Sequence, residues 1–339
     1  MRVLITGGAG YIGSHTCVAL LGEGYEVAIL DNLSNSSMEA VERIKLITKR
    51  RLDFFNADVR EQAAVELVFD KFKPDAVIHF AGLKSVGESV QDPLRYYDWN
   101  VTGSLTLFQV MARKGVKTLI FSSSASVYGD AVDVPIREIA PIAPANPYGQ
   151  SKAMIERILA DLVAADSEWR VARLRYFNPM GAHESGLIGE DPNGVPNNLS
   201  PYISQVAVGK LNELKIFGGD YPTPDGTGVR DYIHVMDLAL GHLAALNYLA
   251  REQGLLTLNL GTGRGCSVLE MVAAFEKACG KPVPYRVVDR RPGDVAQSFA
   301  DSSEAARTLG WSTRWNLDDM CRDAWRWQSM NPHGYGTKS

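Results

Sequence analysis

The chain has few residues of the kinds that staple a small fold or hold a metal ion. Its 339 residues include only four cysteines and six histidines, and both types are scattered along the sequence. No two cysteines have the short spacing of a zinc or redox motif, so we expect reduced thiols and no metal site. A chain of this length can bury a large apolar core without disulfide bonds or metal ions, and it has room for two domains.

Long apolar runs and an excess of positive charge are also missing. No hydrophobic stretch has the roughly 20 residues that a membrane-spanning helix needs, so no membrane partner is expected. The formal net charge is −4 and no basic stripe is present, which argues against binding of nucleic acid. A strand pattern begins at Arg2 and leaves no room for a signal peptide, so we expect a cytoplasmic location.

Short β-branched runs alternate with helix-like segments in the first half of the chain. Strands are predicted at residues 2–6, 25–30, 52–56, 76–80, 118–122 and 170–175. Helices are predicted at residues 11–21, 61–71, 93–113 and 148–165. This alternation indicates right-handed βαβ units, and therefore an α/β fold with a doubly wound parallel sheet of the Rossmann type.

The second half of the chain has a different texture. Residues 178–198 and 218–228 are rich in Gly, Pro and Asn and show little periodicity. Long ordered loops of this kind are commonly functional in compact proteins. We therefore predict a Rossmann domain over residues 1–177 and a smaller α+β domain over residues 178–339, with some later segments returning to the first domain.

A glycine-rich turn separates the first predicted strand from the first predicted helix. Its spacing is G-x-x-G-x-x-G, formed by Gly7, Gly10 and Gly13. Glycines at such a turn let the backbone approach a pyrophosphate, and the helix N-terminus adds amide donors and a favourable dipole. The turn therefore predicts a dinucleotide site.

Acidic residues follow the second and third predicted strands. Asp31 lies about 20 residues beyond the glycine turn, which is the spacing of the acid that binds the adenosine ribose. A carboxylate there repels a 2′-phosphate, so Asp31 favours NAD over NADP. For Asp58, two interpretations stay open, a contact with the adenine and a helix N-cap.

One Tyr-x-x-x-Lys pair is present, formed by Tyr148 and Lys152. The two side chains share one face of a helix, and an ammonium beside a phenol favours the phenolate. Tyr148 is therefore predicted to be a general base. Ser124 ends a serine run at the C-terminal end of a predicted strand, where side chains point into the ligand crevice of such sheets. Ser124 is predicted to assist the proton transfer.

With these motifs in this order, the chain resembles the UDP-glucose 4-epimerases of the extended short-chain dehydrogenase/reductase family. The resemblance runs over essentially the full length and is carried by residues 6–15, 31–33, 79–84, 122–129, 174–179, 196–199 and 226–234. It implies a tightly bound NAD, a UDP-sugar substrate and a homodimer with helices such as 94–113 and 148–165 at its interface.

The resemblance also implies the roles of individual residues. Tyr148 would be the base, Lys152 its activator and a ligand of the NAD ribose, and Ser124 the hydrogen-bonding partner. NAD would be lined by Gly7, Gly10, Tyr11, Ile12, Gly13, Asp31, Asn32, Asn35, Ser36, Asp58, Val59, Phe80, Ala81, Gly82, Lys84, Asn100, Ser122, Tyr148, Lys152 and Phe177. The substrate would meet Lys84, Ser124, Tyr148, Asn178, Asn198, Leu199, Ile216, Phe217, Arg230, Arg291, Asp294 and Ser298. Trp99 stands where the family often has Asn, so Asn100 is assigned to the cofactor site instead.

The activity that the resemblance implies inverts carbon 4 of a UDP-hexose through a 4-keto sugar. Three alternatives stay open: a nucleotide-sugar 4,6-dehydratase, a dehydrogenase that releases NADH, and a non-catalytic NAD-binding protein. Dehydratases of this superfamily usually have Asp-Glu after the strand-end residue, where this chain has Ala125 and Ser126. The intact set of Ser124, Tyr148 and Lys152 argues against a non-catalytic role.

Ser298 bears on which sugars fit. Some family members have a tyrosine at this position, which closes the sugar pocket beside carbon 2. Serine lacks the ring, and an N-acetyl group needs more space than a hydroxyl. We therefore expect UDP-N-acetylglucosamine and UDP-N-acetylgalactosamine to be accepted as well, unless a neighbour such as Phe299 fills the space.

The role of Asp31 can be tested by its replacement with alanine. This change should weaken NAD binding by roughly 10-fold or more, because a charge-assisted hydrogen bond contributes roughly 1.5–3 kcal/mol. Calorimetric titration of cofactor-free protein with NAD and with NADP measures the effect. If the unmodified protein bound NADP as tightly as NAD, the assignment of Asp31 would be wrong.

Overall fold

The structure is a computed structural model that describes residues 1–131, 133–291 and 294–336. Its strands are β1 Arg2–Thr6, β2 Glu26–Asp31, β3 Asp53–Asn56, β4 Ala76–His79, β5 Thr118–Ser124, β6 Arg170–Tyr176, β7 Asn178–Met180, β8 Leu214–Phe217, β9 Val229–His234, β10 Gly254–Leu260, β11 Gly265–Ser267, β12 Tyr285–Val288 and β13 Gln297–Ser298. Its α-helices are α1 Tyr11–Gly22, α2 Met38–Thr48, α3 Gln62–Phe72, α4 Val86–Gln91, α5 Pro93–Tyr96, α6 Gly103–Lys114, α7 Pro147–Ala165, α8 Leu199–Ala207, α9 Val235–Leu249, α10 Val268–Cys279, α11 Ser303–Leu309 and α12 Leu317–Met330.

A seven-stranded sheet forms the centre of the molecule. Its strand order is β10-β6-β5-β4-β1-β2-β3, and every neighbouring pair is parallel. The chain passes from β1 to β2 and β3 on one side and then crosses to β4 on the other side. This reversal opens a crevice at the C-terminal ends of β1 and β4, where ligands of doubly wound sheets bind. The predicted Rossmann sheet is confirmed.

Apolar side chains cover both faces of this sheet, which is why its strands read as nearly continuous hydrophobic runs. Successive residues of a strand point to opposite faces. In β1, Val3 and Ile5 belong to the cluster on one face, and Leu4 belongs to the cluster on the other face. All three are fully buried.

The seventh strand of the large sheet comes from the second half of the chain. β10 pairs in parallel with β6 along its whole length, and α9, which precedes it, packs against α1. The segment from α9 to β10 therefore extends the first sheet. The division into residues 1–177 and 178–339 stays a prediction. The segment from α9 to β10 is a part of the second half that packs on the first.

The remaining strands form two smaller sheets. β9 pairs with β11 in antiparallel fashion and with β7 and β13 in parallel, and β8 pairs with β12. Helices α8, α10 and α12 pack together beside them over a buried apolar cluster that includes Ile203, Phe275 and Met320. This mixture of short strands and helices is the smaller α+β unit that the sequence predicted.

The helix predicted over residues 93–113 is interrupted. The structure has α5, then a π-helical turn at Tyr97–Thr102, and then α6. A π turn takes an extra residue, which shifts the helix face that points inward. Asn100 is thereby buried, while Trp99 lies between the guanidinium groups of Arg60 and Arg95, at 4.3 and 5.5 Å from its ring centroid.

A buried ion pair joins α7 to β6 and can be tested by mutation. Arg175 donates to both carboxylate oxygens of Glu156, from Nε at 2.8 Å and from Nη2 at 2.6 Å. Replacing Glu156 with Gln should lower the free energy of unfolding by about 3 kcal/mol or more, because the Arg175 charge stays buried without its partner. The midpoint of urea unfolding measures the loss.

Glu66 offers the matched control for this prediction, since it pairs with Arg113 at 2.8 Å on the protein surface. Replacing Glu66 with Gln should change the free energy of unfolding by no more than about 1 kcal/mol. Equal losses from the two substitutions would show that burial of the Glu156–Arg175 pair has no special weight.

Candidate active site

The glycine turn between β1 and α1 has a shape that only glycine permits. Gly7 has φ of 70°, and a Cβ atom there would lie 2.7 Å from the amide nitrogen of Ala81. A Cβ atom at Gly13 would lie 2.3 Å from the carbonyl oxygen of Gly7. α1 then begins after Gly10 without a side-chain cap, so its first amides remain available to a ligand. This backbone cradle fits a dinucleotide diphosphate.

Asp31 ends β2 beside this turn and is almost fully buried. Its carboxylate accepts hydrogen bonds from Ala9 N at 3.0 Å, Leu33 N at 2.9 Å and the Ser36 hydroxyl at 2.8 Å. Burial raises the pKa of Asp31, and these three hydrogen bonds oppose that rise. A carboxylate has about four acceptor sites, so one remains, and the Ser36 hydroxyl can rotate. The donor and acceptor set fits an adenosine ribose.

Asp58 lies next to the Asp31 loop and is held by two neighbours. It accepts hydrogen bonds from the Arg60 guanidinium, from Nη2 at 2.8 Å and Nε at 3.0 Å, and from Asn32 Nδ2 at 3.0 Å. The bonds to Arg60 are the main reason that the pKa of Asp58 lies below its ordinary value. The helix N-cap interpretation is wrong, because the N-cap residue of α3 is Glu61. The adenine contact stays a prediction.

The loop after β4 contains four of the predicted cofactor residues, Phe80, Ala81, Gly82 and Lys84. Asn100 fixes this loop from the π turn: its Oδ1 accepts from Leu83 N at 2.7 Å, and its Nδ2 donates to Leu83 O at 3.1 Å. Nδ2 also donates to the Ser151 hydroxyl at 3.0 Å, which joins the loop to α7. Asn100 therefore fixes the conformation of the loop after β4.

The predicted pair of Tyr148 and Ser124 is brought together. Asn146 caps α7 by accepting from Gly149 N at 2.9 Å, which places Tyr148 in the first helical turn. Ser124 lies at the end of β5, and its hydroxyl lies close enough to the Tyr148 phenol to oppose the rise in pKa that burial causes. Both residues therefore stand at the crevice edge of the large sheet.

Lys152 lies near Tyr148 and is bonded to the backbone of β5. Lys152 Nζ lies 5.9 Å from the Tyr148 ring centroid and donates to the carbonyl oxygen of Ser122 at 2.7 Å. Burial lowers the pKa of Lys152 to about 8. Burial also raises the pKa of Tyr148, and the Ser124 hydroxyl and the Lys84 charge oppose that rise. The structure thus adds Lys84 to the groups that act on Tyr148, and the role of Lys152 as its activator stays a prediction.

The other predicted cofactor residues complete the same crevice. Asn35 is exposed in the loop after β2, Val59 is buried against α6, and Phe177 is buried just after β6. Tyr11 and Ile12 open α1, and Ser122 belongs to β5. The structure brings these residues to one edge of the sheet, and their contacts with a cofactor stay predictions.

A cleft of about 710 Å³ lies in the second half of the molecule. Eight predicted substrate residues line it, namely Asn178, Asn198, Leu199, Ile216, Phe217, Arg230, Arg291 and Asp294. Ser298 lies beside the cleft, as the β13 partner of Arg230 in β9. The segment that holds Arg291 and Asp294 also includes Pro292 and Gly293, which lie outside the described residues.

Positive charge gathers along this cleft. Arg230 Nη1 donates to the carbonyl oxygen of Val229 at 2.9 Å. Arg291 lies 4.6 Å over the ring of Phe217 and donates to Asp294 at 3.0 Å. Guanidinium groups present two parallel donors to phosphate oxygens, so this arrangement suits a diphosphate.

Sequence reasoning missed several residues of this region. The cleft is also lined by Asn197, Tyr202, Lys215, Tyr221, Gly228, Tyr232 and Val268. Glu190 was missed as well, although it accepts hydrogen bonds from Lys84 at 2.9 Å and from Asn198 at 3.2 Å. Asn197, Gly228 and Tyr232 lie in the segments 196–199 and 226–234 that carry the resemblance, so a signal for them was present. The other positions have no short motif, because each is defined by neighbours that are distant in sequence.

The described residues contain neither a cluster of metal ligands nor a helix suited to a membrane. No group of three or more His, Cys, Asp or Glu side chains is arranged to hold a metal ion within residues 1–131, 133–291 and 294–336. In the same part of the chain, no helix has the length and apolar character that crossing a membrane requires.

Comparison with known proteins agrees with this geometry. A family model described as GDP-mannose 4,6 dehydratase matches residues 4–324. The UDP-glucose 4-epimerase of Bacillus subtilis is 61% identical over 335 residues, which cover 99% of this chain and 99% of that protein. The enzyme of the same name from Dictyostelium discoideum is 57% identical, over 98% of this chain and 97% of that protein.

A solved structure also has a backbone similar to that of this chain. The UDP-glucose 4-epimerase of Bifidobacterium longum, crystallised in complex with NAD+ and UDP, has 52% identity and a TM-score of 0.96. The match covers 98% of this chain and 100% of that one. The resemblance seen in the sequence is confirmed, and the chain belongs to the UDP-glucose 4-epimerase family.

Proposed function

We propose that this chain interconverts UDP-glucose and UDP-galactose by inverting carbon 4 of the sugar, with NAD kept bound throughout. The observation that carries the proposal is the pairing of Ser124, at the end of β5, with Tyr148, in the first turn of α7. This pair stands at the sheet edge that also carries the glycine cradle, and the second half of the chain adds the arginine-lined cleft. The relatives and the solved structure described above are named for this activity.

The residues divide into those that would hold NAD and those that would hold the substrate. The amides that open α1 would hold the cofactor diphosphate, and Asp31 would hold the adenosine ribose. NAD, when bound, supplies a ring that takes a hydride from carbon 4 and gives it back. Arg230 and Arg291 would hold the substrate diphosphate by paired hydrogen bonds.

The proton transfer is the task of the chain's own side chains. Tyr148 as phenolate takes the proton from the 4-hydroxyl, and Ser124 holds the same oxygen by a hydrogen bond. After the sugar turns about its diphosphate, which the arginines keep in place, the hydride returns to the other face of carbon 4 and Tyr148 returns the proton to the 4-oxygen. Because proton and hydride both return, the reaction as a whole is redox-neutral.

The dehydratase alternative lacks the groups it needs. Elimination of water from the sugar requires a carboxylic acid near the catalytic tyrosine. Ala125 and Ser126 follow Ser124 directly, and together with Val127 they form a 3₁₀ turn without a carboxylate. The epimerase proposal is therefore favoured over a 4,6-dehydratase.

We also propose that the protein is a cytoplasmic homodimer. Large apolar side chains are exposed near the catalytic helix: Val90 on α4, Leu94 on α5, Leu105 on α6 and Met154 on α7. Exposed apolar side chains gathered on one surface commonly mark an interface. The four cysteines are free thiols, which is the state that a reducing compartment maintains.

Removal of the Tyr148 hydroxyl tests the central proposal. The purified protein, without added cofactor, should convert UDP-galactose into UDP-glucose, as chromatography of the products measures. Tyr148→Phe should retain the fold and NAD but lose about 10²–10⁴-fold of the rate, because the general base is gone. Near-normal turnover by this variant would overturn the assignment, and stoichiometric NADH from the unmodified enzyme would indicate a dehydrogenase.

Ser298→Tyr tests the size of the sugar pocket. The unmodified enzyme should epimerise UDP-N-acetylglucosamine as well as UDP-galactose. The tyrosine ring should suppress the N-acetylated substrate about 10-fold or more and spare the plain hexoses, because overfilling a packed site costs about 1–3 kcal/mol. Rates with both substrates measure this split. If the unmodified enzyme turns over UDP-galactose but not UDP-N-acetylglucosamine, the open-pocket idea is wrong.

A further inference from the structure

We infer that Glu190 is a positioning residue that sets the charge around Tyr148 through Lys84. Glu190 lies in the loop between β7 and α8, and none of the sequence motifs included it. The inference rests on the proposed function, since it concerns the base of that reaction. It assigns to Glu190 no contact with substrate or cofactor.

The carboxylate of Glu190 links the cofactor side of the site to the substrate side. Its Oε1 accepts from Lys84 Nζ at 2.9 Å and from Asn198 Nδ2 at 3.2 Å. The Glu190 side chain is 9% exposed, whereas the Lys84 side chain is 48% exposed. Lys84 follows β4, and Asn198 caps the start of α8. One carboxylate oxygen therefore ties together residues from the two halves of the chain.

The backbone on both sides of Glu190 is held by the C-terminal part of the chain. Trp327 Nε1, in α12, donates to the Glu190 carbonyl oxygen at 3.2 Å. Gly189 N donates to the Tyr335 hydroxyl at 3.2 Å, and Tyr335 N donates to Asp191 at 3.0 Å. Because these bonds fix the loop, Glu190 holds Lys84 in place and does not simply follow it.

The other carboxylate oxygen of Glu190 is a second indication that this residue does more than stabilise the fold. Oε2 is buried and has no hydrogen-bond partner among the described residues. A buried carboxylate oxygen without a hydrogen-bond partner lowers the stability of the fold. A role for Glu190 besides packing would account for it. The charge of Glu190, held close to Lys84, supplies such a role.

The charges that face Tyr148 and Glu190 give the direction of the effect. Around Tyr148 lie Lys84 after β4, Lys152 on α7, Ser124 on β5 and Tyr176 on β6. Lys84 lowers the pKa of Tyr148. Burial lowers the pKa of Lys84, and the charge and the hydrogen bond of Glu190 outweigh that effect and keep the ammonium charged. Glu190 also faces Tyr11 on α1, whose pKa is raised first by burial and then by the Glu190 charge.

The sign of the expected change follows from this arrangement. Without the negative charge of Glu190, the charged form of Lys84 is less favoured and its ammonium is held less firmly near the phenol. The pKa of Tyr148 then rises, and the phenolate is lost at a higher pH. Activity that needs the phenolate should therefore decline at a higher pH than in the unmodified enzyme.

Glu190→Gln is the sharpest test, because it removes the charge and keeps an acceptor oxygen for Lys84 and Asn198. We expect the acidic limb of the kcat/KM profile for UDP-galactose to move up by about half to one pH unit. The KM should stay within about threefold of the unmodified value, since the acceptor is retained. Thermal melting checks that the variant is folded.

Asp191→Asn is the matched control, since it removes one negative charge from the adjacent position of the same loop. Its carboxylate meets the Tyr335 backbone and not Lys84, so the acidic limb should stay in place. In a Lys84→Met background, Glu190→Gln should produce less than half of its original shift. A shift of equal size in that background would show that Glu190 does not act through Lys84.

Two outcomes would overturn the inference: an acidic limb that Glu190→Gln leaves unmoved, or an equal shift from Asp191→Asn. The ultraviolet absorbance of the phenolate, taken as the difference between the unmodified protein and Tyr148→Phe, gives the pKa of Tyr148 without turnover. An unmodified protein that fails to epimerise UDP-galactose would overturn the proposed function, and this titration would still decide the role of Glu190.

Discussion

The close approach of α1 to the end of β1 is the constraint on which the rest of the site depends. Gly13 rests against the carbonyl oxygen of Gly7, and Gly7 rests against the amide of Ala81, with no room at either place for a Cβ atom. The turn therefore lies flat and α1 begins at the mouth of the crevice. Any larger residue at these positions would push the helix, the turn and the loop after β4 apart.

The second half of the chain closes over this crevice by hydrogen bonds to the first half. Tyr11 on α1 donates its hydroxyl to the carbonyl oxygen of Gly181 at 2.7 Å. His183 N donates to His15 Nε2 at 3.0 Å, and burial lowers the pKa of His15 to about 3, so this histidine is a neutral acceptor. The loop that carries Glu190 is thus tied to the helix that would hold the cofactor diphosphate.

Tyr148, the proposed base, illustrates how burial and charge compete in this site. Burial alone would keep the Tyr148 phenol protonated, because a phenolate is poorly stabilised away from water. The Ser124 hydroxyl and the Lys84 ammonium favour the charged form. Lys152 is directed at a backbone carbonyl, and its own pKa is lowered. The strength of the base therefore depends on groups from three separate segments.

The sequence by itself determined the features that are encoded by neighbouring residues. The strand, glycine turn and helix at the start of the chain, the acid at the end of β2 and the Tyr-x-x-x-Lys helix all depend on local spacing. The structure contains each of them, with strand and helix ends within a few residues of the prediction. Helix α2 has a local signal too, since Ser37 caps it through Glu39 N, and this signal was overlooked.

Tertiary structure alone decided the features that join distant segments. The π turn that buries Asn100 forms against the loop after β4, and β10 reaches the large sheet only because α9 packs on α1. The partnership of Lys84 with Glu190 spans more than a hundred residues. Direction and distance between side chains fix pKa values and pairings, and a sequence specifies neither until the chain has folded.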